Sequence, residues 1–392
     1  MQKRMFLFPD FHNIQNACDI LNRVSWGLYG MGVEGINLCL PEVSLSGIHL
    51  YDWLKKPMLS ESMENYLPEL LPLLKLSDGR EIGPGDAGLF WDSSTYSDNR
   101  IGVGLEQRIL VDPTFRFNYE ADQIAALQYT LLTESQRQAI RDTSSARFAE
   151  FIDRWKNIEN AYLYLTGPSV ETISQNPVDR SAMHIICNSL VKNEGLMRQL
   201  QPNVLMFSDP AFHFGISKYA ATFRNYVKMA MINFPEMICM VPERYYPLTN
   251  SFLGPEACER IIGIPVKEVE DFHFPSVEEF HTRKTGNILT LMMIPVASSL
   301  TNRVHILGAD GRASSDKGYW AHAKSSQISD QLRSIYESHP SLARDEDVEK
   351  YYQEHCNILD AQLDFGETKQ HKVYVCETPS MIPALAKRMI RS

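Results

Sequence analysis

Short apolar runs alternate with amphipathic stretches from the start of the chain. "KRMFLFPD" is an apolar run bounded by charge and proline, the pattern of a strand. "IQNACDILNRVSWGLYGMG" spaces its apolar residues at helical intervals, and "EGINLCLPE" returns to a strand pattern. "AGLFWDSS" and "QRILVDPT" fit further strands of the same unit. A β-α-β opening of this kind predicts a parallel sheet. Residues 119–158, "YEADQIAALQYT" through "FIDRWKNIEN", are helical in composition and read as a connection to a second domain.

The second pattern begins at "AYLYLTGPS". Strands are expected at "SAMHIICNSLV", "NVLMFSDP", "EMICMVPE", "NRVHILGADGR" and "HKVYVCETP". Helices are expected between them, notably "SKYAATFRNYVKMAMINF" and "GNILTLMMIPVASSL". Apolar strands alternating with helices predict a doubly wound sheet. The expected fold class is therefore α/β, with two Rossmann-like domains spanning residues 1–158 and 159–392. No internal repeat or low-complexity tract interrupts the pattern.

Composition narrows the class without naming a function. The 392 residues are 44% hydrophobic and 22% charged, as in ordinary globular proteins. A formal net charge of -10 argues against a nucleic-acid backbone as main partner. The seven cysteines are scattered and never form a C-x-x-C pair. That usage fits a reducing cytoplasm and gives no zinc cluster. The apolar stretch of the first residues is short for a signal peptide, and "ILTLMMIPVASSL" contains a proline and falls short of a membrane span. Any membrane contact is expected to be peripheral.

In open α/β sheets, ligands bind outside the carboxyl ends of the strands. Candidate chemistry is therefore sought at those ends. Gly167, Pro168 and Ser169 close the first strand of the second domain. They read either as a tight turn or as a loop offering N–H groups and a hydroxyl to an anion. Asn188 and Ser189 end the second strand. Ser208 and Asp209 end the third, with His213, Ser217 and Tyr219 close behind; Asp209 reads as a functional carboxylate or as a turn cap. Gly308, Asp310, Gly311 and Arg312 end a later strand, where Arg312 suits a carboxylate or phosphate held bidentately, against a plain Asp-Gly turn. Tyr319, Trp320 and His322 follow, as cover for a base or sugar or as core. Asp345, Glu346 and Asp347 fit helix capping better than metal binding. No zincin, nucleophile-elbow or kinase signature is present.

Taken in order, "TGPS", "CNS", "FSDPAF" and "TGNILTLMMIPVASSLTNRVHILGADGR" resemble the CMP-sugar-dependent bacterial glycosyltransferases. The resemblance covers roughly residues 160–390. That group includes one-domain sialyltransferases and two-domain retaining β-Kdo transferases, and the N-terminal α/β domain places this chain nearer the latter. It implies a GT-B-like arrangement, with residues 1–158 on the acceptor side and 159–392 binding the CMP-sugar. It implies Kdo transfer from CMP-Kdo to a surface polysaccharide or lipopolysaccharide, in the cytoplasm or peripherally at the inner membrane. The partners implied are the CMP-activated donor and a carbohydrate or glycolipid acceptor, with no metal and no further cofactor.

The resemblance assigns roles residue by residue. Asp209 stands where sialyltransferases tend to carry Asn, which favours a nucleophilic carboxylate and net retention over inversion. His339, in a His-Pro pair, resembles the phosphate-contacting histidine of that group. Gly167, Pro168, Ser169, Asn188, Ser208, Gly308, Asp310 and Arg312 are the donor-binding candidates, with Arg244 competing with Arg312 for the sugar carboxylate. Glu120 and Glu243 are candidates for the acceptor's general base. Three alternatives stay open: an inverting sialyltransferase-like enzyme using another CMP-nonulosonate, a pterin pyrophosphokinase-like enzyme, and a non-catalytic nucleotide-binding domain.

Overall fold

The computed structural model describes residues 4–8, 14–28, 31–39, 69, 71–77, 81–83, 85–91, 93–104, 107–111, 119–175, 178–313, 321–339 and 347–389. Two parallel sheets organise these residues. The first contains β1 (Arg4–Phe8), β2 (Gly35–Cys39), β3 (Leu74–Ser77), β4 (Ala87–Phe90) and β5 (Arg108–Leu110), in the order β3-β2-β1-β4-β5. Met5, Phe6 and Leu7 of β1 are fully buried, as are Ile36 and Leu38 of β2, because this sheet is covered on both faces. Phe8 and Phe90 stack at the carboxyl ends of β1 and β4, 4.6 Å apart.

The second sheet contains β6 (Asn160–Tyr164), β7 (Met183–Cys187), β8 (Val204–Met206), β9 (Ile238–Pro242) and β10 (Ile261–Ile264). After a two-stranded ribbon of β11 (Val266–Lys267) and β12 (Thr282–Arg283), it adds β13 (Arg303–Leu307) and β14 (Val373–Cys376). The order is β10-β9-β8-β7-β6-β13-β14, with every pairing parallel. The chain winds outward from β6 one way, then returns to place β13 on its other side. Both sheets thus have the Rossmann-like, doubly wound order that the strand pattern predicts. β3 and β10 are strands that the apolar pattern did not single out.

One core of the second sheet lies on the face where Ala161, Leu163, Met183, Ile185, Val304 and Ile306 meet three helical segments. One is the helix Glu134–Trp155, through Phe148 and Phe151. Another is the helix Val348–Gln370, through Leu359 and Leu363. The third is Leu289–Leu300, expected as one regular helix. It opens instead as a π-helical turn, Leu289–Met293, before an α-helix, Ile294–Leu300. Pro295 accounts for the difference: it has no N–H to give the preceding turn, and its ring crowds the carbonyl four residues back.

The chain divides into two compact units. One comprises Met1–Thr133, Asp209–Thr222 and Asp330–Glu346; the other comprises Glu134–Ser208, Phe223–Ser329 and Asp347–Ser392. A single cut at residues 158 and 159 does not describe this division. The helix Glu134–Trp155 is part of the second unit, where Ser144 Oγ accepts the Gly263 N–H of β10 at 3.0 Å and Arg147 donates to the Cys258 and Ile261 carbonyls.

Candidate functional site

The winding direction of the second sheet reverses between β6 and β13, so a crevice opens at their carboxyl ends. Leu165, Thr166 and Gly167 leave β6 there, and Gly308–Gly311 leave β13. Cys187 and Asn188 from the end of β7, and Asn287, Ile288 and Leu289 at the start of the π-helical turn and just before it, complete much of the lining. The cavity is about 70 Å³.

Two glycines fix the mouth of this cavity. Gly167 donates its N–H to the Gly308 carbonyl at 2.9 Å. A Cβ on Gly167 would sit 2.5 Å from that carbonyl oxygen and 2.8 Å from the Asp310 carboxyl carbon. Gly308 has a φ of +73°, and a Cβ on it would lie 2.6 Å from the Leu165 carbonyl oxygen. Neither position accepts a side chain without moving backbone.

The turn after β6 already holds an anion, one of its own chain. Asp310 accepts the Ser169 N–H at 2.7 Å and also the Ser169 hydroxyl. The N–H and hydroxyl expected to face a phosphate are therefore engaged by a carboxylate, while Pro168 is exposed. Arg312 is also engaged: buried, with its guanidinium 3.2 Å from Glu349 and over the Tyr352 ring. It is not among the residues lining the cavity, nor is Ser208.

Asn188 is different. Its φ is +50°, a left-handed conformation that Asn tolerates better than most residues, and its buried side-chain oxygen has no partner among the described residues. Asn188 is thus a half-buried amide held in a sparsely populated conformation at a strand end.

Two neutral histidines line the same cavity. His322 shares a hydrogen bond of 2.8 Å with the Thr166 hydroxyl, and burial lowers its pKa to about 4. His355, on the long helix Val348–Gln370, is pushed down to about 4 by burial as well. His355, Asn287 and Thr166 were not singled out by sequence. Asn287 and Thr166 sit inside recognisable segments, but His355 gives no local signal, because only the packing of its helix brings it to the cavity. Among the described residues no lysine or arginine lines the cavity, so its polar character comes from the Asp310 carboxylate, amides, hydroxyls, imidazoles and backbone.

Asp209 and His339 both fall in the first unit. Asp209 follows β8 and folds back on its own turn: one carboxylate oxygen accepts the N–H groups of Ala211 and Phe212 at 3.0 and 2.9 Å. Its own N–H donates to His213 Nδ1 at 3.0 Å, which leaves the proton of a neutral His213 on Nε2. Burial raises the Asp209 pKa to about 6, against those two N–H donors, and the Asp122 charge adds to the rise. Asp209 is thus a turn cap, as the plainer sequence reading has it, and also a carboxyl tuned towards neutrality.

His339 is buried. Its ring packs where a Gly215 side chain would be, 2.4 Å from the position of a Cβ, so a glycine is required there. Burial, with Arg23 beside it, lowers its pKa to about 3, so the ring is neutral. Its Nε2 has no partner among the described residues. Trp26 and Arg23 tie the two segments to the helix Ile14–Gly27, through the Phe214 and Ser338 carbonyls.

The remaining candidates are placed as follows. Glu243 is buried and paired with Arg141 at 2.9 Å, a structural role. Glu120 lies in the helix Tyr119–Ala125, and its side chain is outside the described residues. Tyr319, Trp320, Asp345 and Glu346 are also outside them. Asp347 caps the helix Val348–Gln370 by accepting the Lys350 N–H at 3.0 Å. Among the described residues there is no cluster of three metal-ligating side chains, and no helix is long and apolar enough to cross a membrane.

Neither a protein-family model nor a curated protein matches the chain. Among solved structures, it is similar to the sialyltransferase CstII from Campylobacter jejuni, determined with the substrate analogue CMP-3FNeuAc. The identity is 11% and the TM-score 0.29, over 58% of this chain and 88% of that one. So low a score carries no weight for the chemistry, which rests on the residues described above.

Proposed function

We propose that the chain is a glycosyltransferase using a CMP-activated sugar, with Kdo as the donor sugar. One observation carries this reading. Three of the four sequence segments that resemble CMP-sugar transferases, "TGPS", "CNS" and both ends of the segment from "TGNIL" to "GADGR", contribute residues to a single cavity at the reversal point of the second sheet, and "FSDPAF" does not. Segments separated by as much as the length of a domain meet at the place where doubly wound sheets bind nucleotides.

Under this reading Asn188 meets the nucleotide or its phosphate, and Gly167 and Gly308 allow the close backbone approach. Asp209 is the nucleophile. Its carboxylate attacks the anomeric carbon, the bond to the phosphate oxygen breaks, and CMP leaves with the electron pair. An acceptor hydroxyl then displaces Asp209, losing its proton to a base, with net retention. A keto-sugar acid suits this course because its anomeric centre is fully substituted and reacts with oxocarbenium character. The neutral His339 donates to the phosphate.

The test is thermal stabilisation by CMP, CDP, UDP and ATP, each with and without magnesium. Metal-independent stabilisation by CMP above the others supports the reading. Selective stabilisation by ATP with magnesium overturns it. Incubation with CMP-Kdo and a saccharide acceptor then reports the donor sugar and the stereochemistry.

A further inference from the structure

Among the described residues, the one carboxylate lining the cavity at the reversal point is Asp310, and no lysine or arginine lines it. The chain holds this residue in place through its backbone. Gly308 donates its N–H to the Thr378 hydroxyl at 2.9 Å, and the Ala309 carbonyl accepts the Ser380 hydroxyl at 2.6 Å. The Asp310 carbonyl accepts the Met381 N–H at 2.7 Å. Gly308 and Gly311, at φ of +73° and +80°, supply the left-handed turns on either side. The loop after β13 is thus fastened residue by residue to the chain after β14, and Asp310 is carried on it.

The side chain is fixed as firmly. Ser169 donates its N–H to Asp310 Oδ2 at 2.7 Å and its hydroxyl to Oδ1, so one residue holds both oxygens. Each carboxylate oxygen offers two lone pairs, and Ser169 engages one on each. The described residues make no other hydrogen bond to these oxygens. Asp310 lines the cavity and Ser169 does not. Ser169 therefore stands behind the carboxylate, and the second lone pair of each oxygen is left on the cavity side.

Two acceptors side by side, at a fixed spacing, match two donors side by side. A phosphate or a sugar acid has no proton to give at neutral pH and is repelled by the charge. A bare cation gains less than the charge suggests, because Ser169 already neutralises part of it. A vicinal pair of hydroxyls fits: each donates one proton to one oxygen, in charge-assisted hydrogen bonds. The other polar lining residues suit a sugar too, since Thr166, Asn188, Asn287 and the neutral rings of His322 and His355 are all uncharged. We propose that Asp310 reads the ribose of the bound nucleotide, its two oxygens accepting the 2′- and 3′-hydroxyls, with the phosphate outside this cavity. The proposal rests on the nucleotide reading above and deepens it, and it requires nothing of the base or of the transferred sugar.

Calorimetric titration of the whole chain with CMP and with 2′,3′-dideoxy-CMP tests it. CMP should bind about tenfold or more tighter, because an analogue without the hydroxyls leaves the carboxylate's acceptors unpaired. Asp310→Asn should bring the two affinities to within about threefold of each other. The ratio is the readout, since a loosened loop weakens both ligands alike and only loss of the hydroxyl contact changes their quotient. Equal binding of the two nucleotides by the wild type overturns the proposal and leaves the nucleotide reading in place; a preference for CMP over UMP would then assign the carboxylate to the cytosine amine. If CMP does not bind, ATP and 2′,3′-dideoxy-ATP with magnesium put the same question. A preference of about tenfold for ATP would support the role of Asp310 while the CMP reading fails. Binding of neither nucleotide overturns both. A ratio unchanged in Asp310→Asn, at wild-type Tm, overturns the proposal equally.

Discussion

At the scale of single residues, Asp209 carries the sharpest consequence. Its pKa of about 6 stands above the ordinary 3.8, so the folded chain holds this proton more tightly than the unfolded chain. Stability is therefore lost as pH rises from about 4 to about 6, and the loss persists above that range. Asp209→Asn keeps an oxygen for the Ala211 and Phe212 N–H groups and removes the charge. The variant should gain Tm relative to the wild type at pH 7.5 and not at pH 4, measured by calorimetry; an equal difference at both pH values contradicts the assignment. Under the proposed chemistry the same variant loses transfer while its stabilisation by CMP remains, and wild-type kcat/KM climbs with pH through about 6 as the nucleophile ionises. Gly167→Ala should destabilise by about 1–3 kcal/mol in urea melts, because its Cβ meets a backbone carbonyl and a carboxyl group, not a flexible chain end. A neutral result would mean that the two loops can separate freely.

At the scale of elements, most strands and the long helices were legible because their patterns are local. β9 and β14 are unbroken apolar runs, and β6, β7 and β13 are interrupted only by Asn160, His184, Arg303 and His305; burial on both faces produces such runs. β3 is short and only partly apolar, and β10 follows a four-residue helix without a turn signal, so both escaped notice. The π-helical turn was not read either, although Pro295 supplied its cause. The helix Glu134–Trp155 was legible as a helix and misread as a connection. Its contribution to the second unit rests on single buried contacts such as Ser144 to the Gly263 N–H, which periodicity does not report. Ser144→Ala leaves that N–H buried and unpaired and should cost about 1–3 kcal/mol in urea denaturation. A change near zero would mean that water or another group replaces the hydroxyl.

At the scale of the whole molecule, the two Rossmann-like sheets followed from the alternation of elements, while the division into units did not. Segments 209–222 and 330–339 leave their neighbours in sequence and pack with the first unit, through contacts such as Trp26 to the Phe214 carbonyl and Arg23 to the Ser338 carbonyl. Only long-range packing decides such exchanges, so local pattern carries no trace of them. The candidate site divides the same way. The cavity at the reversal point was legible in its strand ends, whereas the engagement of Ser169 by Asp310 and of Arg312 by Glu349 was not, because each pairs residues far apart in the chain.

Hydrogen–deuterium exchange of the intact chain with and without CMP tests the central claim most directly, since it reads where the nucleotide sits. Slowed exchange in residues 165–170, 187–189, 286–290 and 308–313 together is the expected result. Saturation by CMP with exchange unchanged in all four segments would contradict it.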